Sequence, residues 1–252
     1  MQLLSGFADI SLWQLLLVAT VALFASIVGG VAGYGTGALM PLVLVPMVGA
    51  APVVPIIALS SMASNASRLA AFVRYADWRR GAIVLAAAVP TCAIGAWGYS
   101  QLSNAGAALI IGVMLMVTVP LRRLLKHHGV TCGKGGLAVG AVGYGLVVGG
   151  TAGSGVLLLS LLMAAGLEGA AVIATDSAVS IAIGVVKIGV FGATGIVDAQ
   201  VIAFALLIGT VAVPGAFLAR AFVEKMPVHV HTAILDAVVI AGAATMIYAA
   251  VR

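Results

Sequence analysis

An all-α, polytopic bundle of membrane-spanning helices, built from two homologous halves, is the fold this sequence predicts. Three observations lead there. Hydrophobic residues make up 63% of the 252 and charged residues only 8%, against roughly 45–50% and about 25% in a soluble domain. Two glycine-rich strings, Gly29-Gly30-Val31-Ala32-Gly33-Tyr34-Gly35 and Gly149-Gly150-Thr151-Ala152-Gly153-Ser154-Gly155, share the pattern G-G-x-A-G-x-G. Each string ends a long apolar stretch and opens a shorter one. A break repeated in both halves of so hydrophobic a chain points to a duplicated transporter with its site at the breaks.

A span needs roughly 17–25 apolar residues. In order, the runs are 12–31, a short piece at 36–48, and 53–73, followed by a basic loop with Arg74, Arg79 and Arg80. Next come 82–99 and 105–121, ending at the most basic loop, 122–134. The second half repeats the order with 136–151, a short piece at 156–165, then 170–191, 201–217 and 233–251. The two repeats are therefore expected at 1–128 and 129–252. Residues 1–11 carry no Lys or Arg, and no small-residue cleavage site follows, so the first run is expected to remain as a span. Cys92 falls in an apolar run and Cys132 in a polar loop. They suggest neither a disulfide nor a metal motif.

Charge sets the orientation. The loops with Arg74, Arg79 and Arg80, with Arg122, Arg123, Lys126 and Lys134, and with Arg220 and Lys225 should face the cytoplasm. The 192–199 loop, with only Asp198, and the N-terminus should face outside. These sides fit if each half crosses five times, the short pieces included, which makes the halves inverted copies. Four crossings with re-entrant short pieces would give parallel repeats and misplace Arg220 and Lys225, so inversion is preferred. Trp78, Trp97 and Tyr99 lie near segment ends, where amphipathic rings settle at the interface.

The short pieces are too brief to cross comfortably as single helices. Irregular backbone at membrane depth is tolerated only where protein buries it or water reaches it. Gly33, Gly35 and Gly37, with Gly153 and Gly155, permit such backbone because glycine accepts positive φ and close approach. Tyr34, Thr36 and Ser154 lie among them. A half-helix starting there offers unpaired N–H groups and the positive end of its dipole. Two such ends meeting near the midplane would make an anion site. Any single glycine could equally be a helix-packing contact. No strand–turn–helix context supports a dinucleotide fingerprint.

With these segments in place the chain resembles the TauE/SafE family of sulfite and organosulfonate exporters, over nearly its full length. The residues that carry the likeness are the duplicated glycine string and the Ser/Thr-containing segment after it. Pro41 and Ser60-Ser61 stand in the first copy and Thr175-Asp176-Ser177 in the second. Asp77-Trp78 and Val197-Asp198 look like the family's short acidic turn. The family often has a Gly-Thr-Ser run where this chain has Ser60-Ser61 and Thr175-Asp176. The resemblance implies a multi-pass permease of the inner (plasma) membrane that moves small, often sulfur-containing anions.

Ionisable groups inside a span cost roughly 2.5–3.5 kcal/mol each on insertion scales and are functional suspects. Arg68, Asp176 and Lys187 qualify. Asp176 and Lys187 stand eleven residues apart, close to three turns, hence on one helix face. Arg68 and Lys187 read as cations that draw anions inward, with snorkelling to the headgroups as the alternative. Asp176 reads as a carrier of a proton coupled to transport, with a helix N-terminal charge as the alternative. Ser60, Ser61, Ser64, Asn65, Thr175, Ser177 and Ser180 add neutral donors, which can also bond their own helix. His127, His128, His229 and His231 lack metal-spaced neighbours and read as solvated loop residues.

The expected activity is secondary export of a small anion, sulfite or an organosulfonate first among them. Alternating access would bend at Gly37, Pro41 and Pro46. An anion channel, or transport of another small solute, is the alternative. No nucleotide-binding motif is present, so energy must come from an ion gradient or a partner protein. An intramembrane enzyme or assembly factor has least support, since no acid/base cluster stands beside a nucleophile, and no enzyme activity is expected. Neither cofactor nor metal is expected. The partners foreseen are the small anionic substrate and the lipid bilayer, with a homodimer allowed and nucleic acid excluded.

Overall fold

The computed structural model describes residues 6–7, 10–32, 35–128, 131–223 and 228–251, with side chains left out at 28–32, 35, 119, 122–128, 216–223 and 228–238. Among them the ordered elements are helical. The helices are α1 (Leu12–Ala32), α2 (Gly35–Val48), α3 (Val53–Phe72), α4 (Trp78–Ser100), α5 (Asn104–His128), α6 (Lys134–Gly149), α7 (Gly155–Ala164), α8 (Gly169–Ala193), α9 (Ala199–Val223) and α10 (Val228–Val251). A 3-10 turn, Val73–Tyr75, extends α3. Three of the described helices are long and apolar enough to cross a membrane outright: α3 with its turn, α4 and α8. Each predicted run becomes a helix. The basic stretch read as a loop from residue 122 is instead helical to His128, because a span can continue past the hydrocarbon once Arg and Lys replace its apolar residues.

The fourth helix of each half starts in the same way. The Asp77 carboxylate accepts a hydrogen bond from Arg80 N at 2.9 Å, and the Asp198 carboxylate accepts one from Val201 N at 2.8 Å. Each satisfies one of the N–H groups a helix start leaves unpaired. The two acidic turns of the sequence are therefore N-caps of α4 and α9.

Contacts between helix ends define two opposite rims. On the first, Ala50 O accepts from Tyr99 Oη at 2.6 Å, Ala51 N donates to Asn104 Oδ1 at 3.1 Å, and the Tyr99 ring meets Phe191 edge-on at 5.9 Å. Phe7 packs edge-on against Phe204 at 5.3 Å, so the chain before α1 lies there too. The second rim gathers Asp77, Arg79, Arg80, Cys132, Lys134 and Ala165 around one hollow, and Cys132 N donates to Ala164 O at 2.7 Å.

This placement revises how the short pieces were counted. α1 starts at the first rim and α2 ends there. α6 starts at the second rim and α7 ends there. The short helices are returning limbs of in-and-back pairs, and they do not cross. α2 has 14 residues and α7 has 10, hence about 21 and 15 Å of helix against a core of about 30 Å. Neither spans alone, but the two end to end bridge it.

The packing repeats when the halves are exchanged. α4 packs on α6, and α9 on α1; α3 packs on α9, and α8 on α4; α3 meets α8, and α5 meets α10. Glycine allows the closest of these approaches. A Cβ at Gly149 would run into Cys92 O of α4, and one at Gly145 into Thr91 and Ala88, the small-residue contact that draws helices together in lipid.

Candidate functional site

Gly37 and Gly153 touch at the centre of the bundle. A Cβ at Gly37 would lie 2.7 Å from Gly153 Cα and 2.8 Å from Gly153 N. Gly153 has φ +81°, the left-handed region that only glycine enters cheaply. Two residues later α7 begins, and its N-cap Ser154 makes no side-chain capping bond. α2 begins at Gly35. The first turns of both returning helices thus converge, each presenting N–H groups without intrahelical partners.

Around this contact lies a cavity of about 150 Å³, lined among others by Ser26, Thr36, Ser61, Arg68, Tyr144, Thr151, Ser154, Asp176, Ser180 and Lys187. A dry cavity of about that size admits benzene in another protein, so a sulfite-sized solute fits. Gly37, Asn65, Gly153 and Gly155 also line it.

The two cations are not idle. Lys187 is buried, and its Nζ donates to Val148 O at 2.7 Å and to Thr151 O at 3.0 Å. These carbonyls sit at the C-terminal end of α6, where a positive charge meets both orphaned acceptors and the negative end of the dipole. Arg68 Nη2 donates to Asn65 Oδ1 at 2.8 Å, and its Nε to Ser64 O at 3.4 Å. Neither cation snorkels, since both line the central cavity. Asp176 is buried, and its Oδ1 has no hydrogen-bond partner. It lies in the second turn of α8, whose N-cap is Glu168, so it is not the helix N-terminal charge.

Other sequence candidates fall elsewhere. Thr175 turns away from the cavity: its Oγ1 accepts from Asp77 N at 2.9 Å, tying the head of α4 to α8. Ser177 donates to Ile173 O and Ser60 to Ile57 O, within their own helices, and neither lines the cavity. Ser61 lines it while donating to Ala58 O at 3.0 Å. Gly35, Gly37 and Gly155 are helical, so among the described string positions left-handed backbone is confined to Gly153. Gly33 and Tyr34 lie outside the described residues, as do the side chains of His127, His128, His229 and His231. Ser26, Tyr144 and Thr151 were missed. Ser26 donates to Ala212 O at 2.5 Å and Thr151 to Val147 O at 2.6 Å. Thr151 stood inside the second glycine string, the one available signal.

Among the described residues a single ion pair forms, Arg80 with Asp77 at 2.6 Å. The backbone bond from Arg80, with help from that guanidinium, holds the Asp77 carboxyl below the usual carboxylate value.

The family model described as sulfite exporter TauE/SafE matches residues 18–246, nearly the whole chain. Searches of curated proteins and of solved structures return no match.

Proposed function

The chain belongs to the sulfite exporter TauE/SafE family and is a membrane transporter, and from that premise we propose that it exports a small oxyanion, sulfite or an organosulfonate, through the cavity at the two glycine breaks. One observation carries the reading: Gly37 lies against Gly153 where α2 and α7 both begin. Backbone N–H groups and helix dipoles from two directions suit a negative solute, and the hydroxyls of Thr36, Ser61 and Ser154 add donors without a large net field. The family description supports a sulfur oxyanion as cargo.

In this reading residues 1–128 and 129–252 are inverted copies. An in-and-back pair adds no crossing, so each half crosses three times, and an odd number inverts the second half. The exchanged packing of the halves supports it. The basic loops then share the cytoplasmic side of the plasma membrane. Alternating access is a rocking of one half against the other about the Gly37–Gly153 contact, with Gly37, Pro41 and Pro46 of α2 taking up the bend.

Purified protein in liposomes tests it. Radiolabelled sulfite and sulfoacetate should enter saturably, and internal unlabelled anion should accelerate entry by counterflow. Conductive flux without saturation would make it a channel. Protein that moves neither anion would end the proposal.

A further inference from the structure

We infer that every anion passing through this cavity is accompanied by one proton, bound on the Asp176 carboxyl. The inference rests on the anion reading above and supplies its co-substrate.

The ground is an unanswered carboxylate. Asp176 is buried, lines the cavity, and its Oδ1 receives no hydrogen bond. An isolated ionised carboxylate out of water is costly unless paired and hydrogen-bonded. The groups around it offer no such pairing. From α3, Arg68 is bonded to Asn65 and Ser64. On α8 itself, Lys187 is held by Val148 and Thr151. α6 contributes Tyr144. At the head of α4, Asp77 is paired with Arg80, and further along that helix lies the buried thiol of Cys92. The 3-10 turn carries Arg74, stacked 4.8 Å over the Tyr75 ring. α7, residues 155–164, has no ionisable side chain.

An anion entering this cavity would put a second negative charge beside Asp176. One proton converts that repulsion into an O–H···O hydrogen bond from the carboxyl to the oxyanion, among the stronger kinds. The proton comes from water on the loading side and leaves to water on the other. No bond of the anion breaks, and nothing is oxidised or reduced. With a monovalent anion the step carries no net charge, so export in this scheme is driven by the anion's own outward gradient and not by the membrane potential.

Methanesulfonate is the suitable probe, because it stays a monoanion throughout the neutral range and any proton moved must be the protein's. In liposomes with a trapped pH dye, wild-type protein should carry one proton inward with each methanesulfonate. A difference of one pH unit should sustain about tenfold accumulation of the anion, the ratio that electroneutral one-to-one coupling sets. Asp176→Asn places an amide donor at the same point. Whatever methanesulfonate counterflow it retains should come without the proton signal and without the accumulation. Wild-type flux without proton movement would overturn the inference, as would full accumulation by Asp176→Asn. The wild-type dye measurement decides alone if Asp176→Asn does not fold. Protein that carries neither methanesulfonate nor sulfite refutes the anion reading itself, a result distinct from anion flux without protons.

Discussion

Replacing Gly37 by alanine tests the centre of the molecule with one methyl group. The added Cβ would meet the Cα and N of Gly153 at 2.7 and 2.8 Å, about 0.7 Å short of the 3.4–4 Å of ordinary van der Waals contact. Both obstacles are backbone atoms, and Gly153 at φ +81° has little room to move, so no side chain can rotate away. Overpacking of this kind costs about 1–3 kcal/mol, and alanine returns about 0.5–1 kcal/mol inside a helix. The net is a destabilisation of about 1–2 kcal/mol, small enough for the protein to fold. The tips of the two returning pairs would be wedged apart, displacing Thr36, Ser154 and Gly155, which line the cavity. Anion counterflow should therefore fall tenfold or more, while thermal melting in detergent shifts by only a few degrees. Gly143→Ala, in α6 with no atom within 4 Å of the new Cβ, is the control and should keep full flux. If Gly37→Ala and Gly153→Ala both transport like wild type, the glycine contact is not the working site.

Lys187→Met should lower the melting temperature, because the carbonyls of Val148 and Thr151 lose their donor, at about 1–3 kcal/mol for buried acceptors left bare; a melting curve in detergent checks it. Thr175→Val should cost about 1 kcal/mol through the lost bond from Asp77 N and leave the flux KM unchanged, since Thr175 faces α4 and not the cavity. The Asp77 carboxyl lies below its usual value, so its contribution is complete above the unfolded pKa of about 3.9 and is lost as pH falls through the lower folded value. Melting followed across that acid window should show the loss in wild type and not in Asp77→Asn, whose amide still caps α4. Ala51→Cys and native Cys132 should react with an impermeant maleimide from opposite faces of the membrane, because Ala51 lies at the rim of Tyr99 and Asn104 and Cys132 at that of Arg80.

Much of the fold was legible because lipid imposes simple rules. Apolar runs gave the helices in number and order, and the Asp77 and Asp198 turns marked equivalent helix starts. The path of the short helices was not legible. Residues 36–48 and 156–165 have the same composition whether they continue through the membrane or turn back. The choice depends on long-range contacts, Ala51 with Asn104 and Cys132 with Ala164, which no local pattern encodes. Counting the short pieces as five crossings or four made inversion depend on their crossing. In the proposed topology it does not, because an in-and-back pair adds no crossing and the other three helices of each half set the orientation.

The site divides along a similar line. A charged residue in an apolar run announces itself, so Arg68, Asp176 and Lys187 were found, and all three reach one cavity. What each does there was hidden, because function depends on the partner and the partner is remote in sequence. Lys187 is spoken for by carbonyls 36 and 39 residues earlier in the chain. That changes its physical meaning. A free ammonium at the midplane would hold an anion tightly and release it slowly, whereas one already neutralising the negative end of α6 leaves a weaker field. In the proposed site the oxyanion would then meet mainly peptide N–H groups and hydroxyls, contacts strong enough to replace water yet weak enough to let go. A transporter needs that balance more than affinity, and in the proposed site it would follow from using Lys187, the buried cation among the described residues, to close a helix end.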